Sequence, residues 1–206
     1  MRTASAVLAV AMAAGLAHGA EIIGNILAPQ VSSTVFGTGS TSIFKAVGFT
    51  MGSDAYDVTQ VTLAWDTNVG GGGNPVVAIY DGAGAPATEL MVFNNPANIA
   101  TPGIVGDLVF TASAPLTLQP NTTYWVHVRS EPMAGPSFNW LSTSNVNPPT
   151  GAGATFVTYN FNGGSSSFYN RFLLEGDLAG GGCDPDLTTG AVPGQPGFGV
   201  PNGVLN

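Results

Sequence analysis

His127 is the side chain of this sequence best suited to proton transfer, because an imidazole titrates close to neutral pH. The chain has two histidines, and the other, His18, lies in an N-terminal stretch that we expect to be removed. A serine, a histidine and an acid can assemble in space from any positions, so spacing alone excludes no triad. The sequence has no Gly-x-Ser-x-Gly elbow, however. We therefore expect His127 to be a structural or surface residue.

Paired carboxylates are the second arrangement to consider, because glycoside hydrolysis uses two acids that flank the scissile bond. Asp54 and Asp57 are close in sequence, but both fall in a predicted turn before a strand. Asp66 and Asp81 lie where strands end. Acids in turns are usually solvated or bonded to their own backbone. A small hydrolase is therefore the least favoured function, and we expect no catalytic residues.

Aromatic rings offer a third kind of chemistry, because rings exposed on a sheet face or at loop tips stack against sugars. Trp65 is in phase with Leu63, which predicts a core position. Trp125 is out of phase with the apolar residues of its strand and shares its side with His127. We name Trp125 and Trp140 as the candidate ligand-binding residues. Trp125 is the best candidate for an exposed aromatic ring, and the exposure of Trp140 is left open.

The oxygen-rich C-terminal tail is the place in the chain whose residue types could bind calcium. Asp186 is followed, after an insertion, by the run Asn202 to Asn206, which contains Gly203. Oxygen ligands at alternating positions, with a glycine at the sharp turn, are what a calcium loop requires. Such a loop also needs a late acidic ligand, and the chain ends before one. A disordered tail is the alternative.

Composition predicts strands rather than helices to position these groups. Charged residues make up only 8% of the 206 residues, with 29 glycines and 15 prolines. Surface helices need abundant Glu, Lys, Arg and Gln, whereas Gly and Pro serve turns between short strands. The net charge of −8 disfavours binding to nucleic acid or to an anionic membrane, since both need basic side chains.

Alternation of apolar and polar residues from 31 to 175 predicts about nine or ten strands, as in sandwiches and jelly rolls. The predicted strands are Thr41–Thr50, Val58–Asp66, Pro75–Asp81, Glu89–Phe93, Asp107–Thr111, Leu116–Leu118, Thr123–Ser130, Ser137–Leu141, Thr155–Phe161 and Phe168–Glu175. Two sheets with one apolar face each would pack together. The predicted fold is an all-β, antiparallel, jelly-roll-like β-sandwich with a cleaved N-terminal signal helix and an irregular C-terminal tail.

The first residues read as an export signal, with Arg2 before the short apolar stretch Ala6–Leu16. Small residues around Gly19 favour cleavage after that residue, and cleavage after Ala20 is the alternative. The predicted organisation is a signal peptide at 1–19, a sandwich domain at 20–177, a glycine-rich linker at 178–182 and a tail at 183–206. No later stretch is long and apolar enough for a transmembrane helix. The single cysteine, Cys183, suggests either a partner thiol elsewhere or a part of the chain that is missing from this sequence.

Several short motifs resemble the choice-of-anchor R domains of exported bacterial proteins. These are Phe49–Tyr56 (FTMGSDAY), Val58–Leu63 (VTQVTL), Leu118–Trp125 (LQPNTTYW) and Phe138–Trp140 (FNW), in that order. The likeness covers roughly residues 30 to 175. It implies an exported or cell-surface location, interchangeable C-terminal anchoring signals and no known catalytic residues.

The tail resembles the opening of the GC-type dockerin-like domain of planctomycete-type bacteria, in Cys183–Gly190 (CDPDLTTG) and Val200–Asn206 (VPNGVLN). This resemblance places Asp186, Asn202, the Val204 carbonyl and Asn206 at calcium-loop positions. It also implies a second loop and a final cysteine beyond Asn206. The implied cofactor is therefore Ca²⁺, and the implied partner is a cell-surface or cohesin-like protein.

These observations predict an exported, extracellular or cell-surface, non-catalytic module for surface display or adhesion, docked through its dockerin-like tail. The alternative is a carbohydrate-binding module of an extracellular polysaccharide-degrading system, for which the partner is a polysaccharide.

Overall fold

The computed structural model describes residues 19–37, 43–66, 75–131 and 137–180. These residues form thirteen strands and no helix, which confirms the predicted all-β class. The strands are β1 (Ala20–Gly24), β2 (Ser32–Phe36), β3 (Phe44–Met51), β4 (Tyr56–Asp66), β5 (Pro75–Asp81), β6 (Glu89–Asn94), β7 (Val105–Ala112), β8 (Thr117–Leu118), β9 (Thr123–Ser130), β10 (Phe138–Ser144), β11 (Ala154–Phe161), β12 (Phe168–Asn170) and β13 (Phe172–Leu178).

The predicted count of nine or ten strands is too low. β1 and β2 were not predicted, and the last predicted strand is divided at Arg171 into β12 and β13. β1 (AEIIG) and β2 (SSTVF) each place two apolar residues side by side instead of alternating them with polar ones, so the period of two gives no signal there. The bounds of β5 and β9 are those predicted.

All strand pairs are antiparallel and belong to two packed ladders. In the first ladder, the central strand β4 pairs with β13 on one side and with β7 on the other. β10 pairs with the end of β4 and also with β2 and β12. In the second, the order is β6-β5-β9-β3-β11. β6 pairs with β5 in one ladder and with β7 in the other. The pairing is therefore nearly continuous around a β-sandwich-like body.

The core lies between the two ladders and is formed by alternate residues of each strand. Tyr124 and Val126 of β9 are buried in the same apolar cluster as Leu63 and Trp65 of β4. Trp65 stacks on Phe138, with ring centroids 4.4 Å apart and planes 13° apart. Trp65 is therefore a core residue, as its phase predicts.

A tight turn after β11 leads the chain from the second ladder to the first. Asn162 and Gly163 both have positive φ, at 50° and 86°, as a two-residue hairpin turn requires. The Asn162 side-chain oxygen accepts a hydrogen bond from the Phe44 amide at 2.8 Å. This turn starts the 162–167 segment that joins β11 to β12.

Several predicted features lie outside the described residues. They are signal-peptide residues 1–18, linker residues 181–182 and the whole tail from Cys183 to Asn206. Within the part of the chain that is described, no helix is long and apolar enough to cross a membrane.

Candidate functional site

Trp125 lies on the outer face of the second ladder, with His127, but its side chain is fully buried. The indole covers Gly48 of the neighbouring strand β3, where an added Cβ would lie 2.8 Å from the ring. Its Nε1 donates a hydrogen bond to the Gly82 carbonyl at 2.7 Å. The best candidate for an exposed aromatic ring is therefore buried, because a glycine across the ladder leaves the ring room to lie flat.

Trp140 is also fully buried, and it belongs to the core cluster. Its Nε1 donates to the Arg171 carbonyl at 2.9 Å. Neither candidate tryptophan presents a ring face to solvent, so neither can serve as a stacking platform for a sugar in this structure.

His127 is packed between two aromatic rings on the same outer face. Its imidazole stacks on Phe44 with centroids 4.9 Å apart and on Tyr80 with centroids 4.6 Å apart. Burial, helped by the nearby Arg129 charge, lowers the pKa of His127 to about 4. The ring is neutral at pH 7, and its buried Nδ1 has no hydrogen-bond partner. These contacts are those of a structural residue that packs against neighbouring rings.

Arg129 forms an ion pair with Glu89, whose charge acts on His127. Its Nη1 lies 3.0 Å from Glu89 Oε2, and the Tyr80 hydroxyl donates to the same oxygen at 2.8 Å. Burial acts to raise the pKa of Glu89, but the hydrogen bonds from Tyr80 and Arg129 outweigh it and lower the pKa. The carboxylate is therefore ionised and bonded to Tyr80 and Arg129.

Of the remaining acid candidates, Asp57 and Asp81 are bonded to neighbouring residues, Asp54 is exposed and Asp66 is half-buried. Asp57 accepts a hydrogen bond from the Thr117 hydroxyl at 2.5 Å, and Asp81 accepts one from the Thr88 amide at 2.9 Å. Among the residues described, no group of three or more His, Cys, Asp and Glu side chains could hold a metal ion. The predicted calcium ligands Asp186, Asn202, Val204 and Asn206 lie outside these residues, so the calcium loop stays a prediction.

A different site surrounds Lys45, the single lysine of the chain. Lys45 lies in phase with the core residues Val47 and Phe49 and is only 2% exposed. Its Nζ donates to the Phe168 carbonyl at 2.8 Å and to the Thr34 hydroxyl at 3.3 Å. Burial lowers the pKa of Lys45 to about 8, because a low-dielectric environment disfavours the ammonium.

Aromatic rings supply part of the compensation for this buried charge. Nζ lies 5.6 Å from the ring centroid of Tyr159 and 5.8 Å from that of Phe161. A cation over an aromatic face is stabilised by the ring's negative face. No carboxylate of the described chain pairs with Lys45.

Lys45 forms part of the wall of a surface cavity of about 230 Å³ at the edge of the sandwich. Three consecutive residues of β2 form one wall, and the end of β11, the following segment and the start of β12 form the other. The lining side chains besides Lys45 are Ser33, Thr34, Val35, Phe161, Ser166 and Phe168. Phe161 and Phe168 are 37% and 45% exposed. The cavity therefore combines one cation, several hydroxyl groups and two accessible rings, which is the composition of a binding site.

Buried hydrogen bonds hold the polar wall of this cavity in place. Asn170 is fully buried, and its amide donates to the Trp140 carbonyl at 2.7 Å and to the Thr34 hydroxyl at 3.3 Å. Thr34 in turn accepts from Lys45. The lysine is thus positioned by a network that reaches into the core.

Sequence reasoning did not identify this cavity. The sequence did contain one indication of the cavity: the only lysine of the chain lies at a core-facing position of its strand. A lysine is rarely buried unless its charge is paired. The rings of Phe161 and Phe168 gave no signal, since six residues that include a turn separate them along the chain.

No protein-family model matches this sequence, and no curated protein is significantly similar to it. The fold and the site define an all-β, antiparallel sandwich with an amphipathic surface cavity built around one buried lysine.

Proposed function

We propose that this chain is an exported, non-catalytic β-sandwich module for cell-surface display or adhesion, attached or docked through its dockerin-like segment at 183–206. The proposal rests on which polar side chains are already held by contacts within the protein and which line an open cavity. His127 is packed between rings and Glu89 is bonded to Arg129, whereas the open Lys45 cavity offers groups for binding. Export is proposed from the sequence, in which Arg2 precedes the short apolar stretch Ala6–Leu16.

Attachment is tested by deleting residues 183–206 from the full-length protein in its native cell. The deleted protein is expected in the medium and the intact protein on the cell surface, measured by fractionation and by protease accessibility of whole cells. Asp186→Ala should also release the protein, and a calcium chelator should mimic it, because the predicted loop needs its oxygen ligands.

An exposed substitution in the sandwich, Val157→Ala, is the matched control and should leave retention unchanged. Retention of the deleted protein at the surface would contradict attachment through this segment.

The second candidate function is a carbohydrate-binding module, now favoured by the Lys45 cavity rather than by tryptophans. Phe161 and Phe168 expose ring surface beside hydroxyl groups. Sugars bind to such surfaces through stacking of their apolar faces and hydrogen bonds from their hydroxyls. One cavity of this kind suits recognition of a single sugar unit in a polysaccharide.

The Phe161→Ala variant is expected to bind about tenfold more weakly to any polysaccharide that the parent protein binds. One aromatic contact contributes roughly 0.5–1.5 kcal/mol beyond its buried area. Binding is measured by glycan array and then by titration. Val157→Ala, an exposed residue of the same strand that does not line the cavity, should bind as the parent does. Equal binding by both variants would remove the cavity from this function.

A further inference from the structure

We propose that the Lys45 cavity recognises a uronic acid residue, whose carboxylate pairs with the Lys45 ammonium while its ring lies against Phe161 and Phe168. This inference rests on the carbohydrate-binding candidate above and names its ligand class.

The unbalanced charge of Lys45 is the first observation behind it. An ammonium has three N–H donors, and neutral oxygens of Phe168 and Thr34 accept two of them. The third has no acceptor in the described structure. By contrast, Arg129 is paired with Glu89. A charge removed from water without a counter-ion is costly, and a bound carboxylate would recover much of that cost.

The cation is also prearranged for an incoming anion. The hydrogen bonds among Lys45, Thr34 and Asn170 fix the amine before any ligand arrives. The amine is already largely shielded from bulk water in the free protein, since Lys45 is 2% exposed. Binding to a preorganised group loses less entropy and solvation than binding to a flexible surface lysine.

The remaining wall of the cavity suits a sugar better than a simple anion. Phe161 and Phe168 supply apolar surface, and Ser33 and Ser166 supply hydroxyl groups at the rim. The volume of about 230 Å³ is below the roughly 300–1,000 Å³ of cavities for drug-sized ligands. This size fits one sugar ring, with the rest of a chain outside.

The test uses NMR of the full-length protein labelled selectively at lysine, because the chain has a single lysine and the signals need no assignment. The probes are an oligomer of galacturonic acid, the matched neutral oligomer of galactose, and acetate, each titrated at pH 7. The uronate oligomer is expected to shift the Lys45 side-chain signals and to bind at least about tenfold more tightly than the neutral oligomer, or 1.4 kcal/mol.

Two variants assign that preference to the charge. Lys45→Met, followed by titration calorimetry, should abolish the preference for the uronate and keep whatever affinity the neutral oligomer has. Arg129→Met removes a positive charge from the outer face of the second ladder and should leave the preference intact. Circular dichroism and thermal unfolding establish that both variants are folded.

Each other outcome overturns the inference in a distinguishable way. Equal binding of the uronate and neutral oligomers would overturn uronate recognition and leave the carbohydrate-binding function standing. Binding of acetate as tight as that of the uronate would show an anion site without sugar recognition. If neither oligomer shifts the Lys45 signals and no sugar on the glycan array binds to the protein, both the inference and the carbohydrate-binding function are overturned.

Discussion

Replacing Lys45 with methionine is expected to stabilise the folded protein by about 2 kcal/mol at pH 7. Burial lowers the pKa of this amine from 10.5 to about 8, and a shift of that size corresponds to about 3 kcal/mol of destabilisation by the charged form. Methionine keeps a similar length without the charge. The loss of the hydrogen bonds to Phe168 and Thr34 subtracts roughly 1 kcal/mol.

The same cause predicts how the difference depends on pH. Between pH 8 and 10.5 the unfolded chain holds a proton on Lys45 that the folded chain has released, so the stability of the parent rises with pH. Below pH 8 the cost of the buried charge is complete, and above 10.5 it has disappeared. The advantage of Lys45→Met should therefore shrink across this window, as measured by urea unfolding at a series of pH values.

A gap between the two proteins that stayed constant from pH 7 to 11, or a variant less stable than the parent at pH 7, would contradict this account. A residue that costs stability at neutral pH is typical of a functional site, where selection for binding overrides selection for packing.

Replacing Trp125 with alanine is expected to destabilise the protein by about 3–5 kcal/mol. The ring is fully buried on the outer face, covers Gly48 and donates to the Gly82 carbonyl. Its removal uncovers the backbone of β3 at Gly48 and loses the apolar area that the buried indole contributes. Thermal and urea unfolding measure the loss, and sugar binding by the protein that remains folded should be unchanged.

Trp125→Phe is the control for this experiment, because it keeps a ring over Gly48 and loses only the indole hydrogen bond and some area. It should cost less than half as much as the alanine variant. If Trp125→Ala instead leaves stability intact and abolishes carbohydrate binding, the ring belongs to a ligand site and the present account of it is wrong.

Much of the fold follows from sequence because strand patterns are local. The alternation in Pro75–Asp81 and Thr123–Ser130 predicts β5 and β9 with their observed bounds. The turn at Asn162 and Gly163 is equally local, since both residues adopt positive φ readily. Even the inward direction of Lys45 follows from its phase with Val47 and Phe49.

The sequence by itself determined the all-β class, most of the strands and the face on which each residue of a strand lies, because these depend on neighbours along the chain. It did not determine which outer-face residues are covered. Trp125 is buried because Gly48 stands beside it on β3, a contact between residues far apart in sequence.

The candidate site is likewise a product of tertiary structure. Lys45 of β3 meets Thr34 of β2 and Phe168 of β12 only because the two ladders pack together at this edge. The packing of the two ladders buries the amine, which costs stability, and it also forms the cavity in which the amine can bind a ligand. Only the packed sandwich therefore turned a lysine in a strand pattern into a candidate binding site.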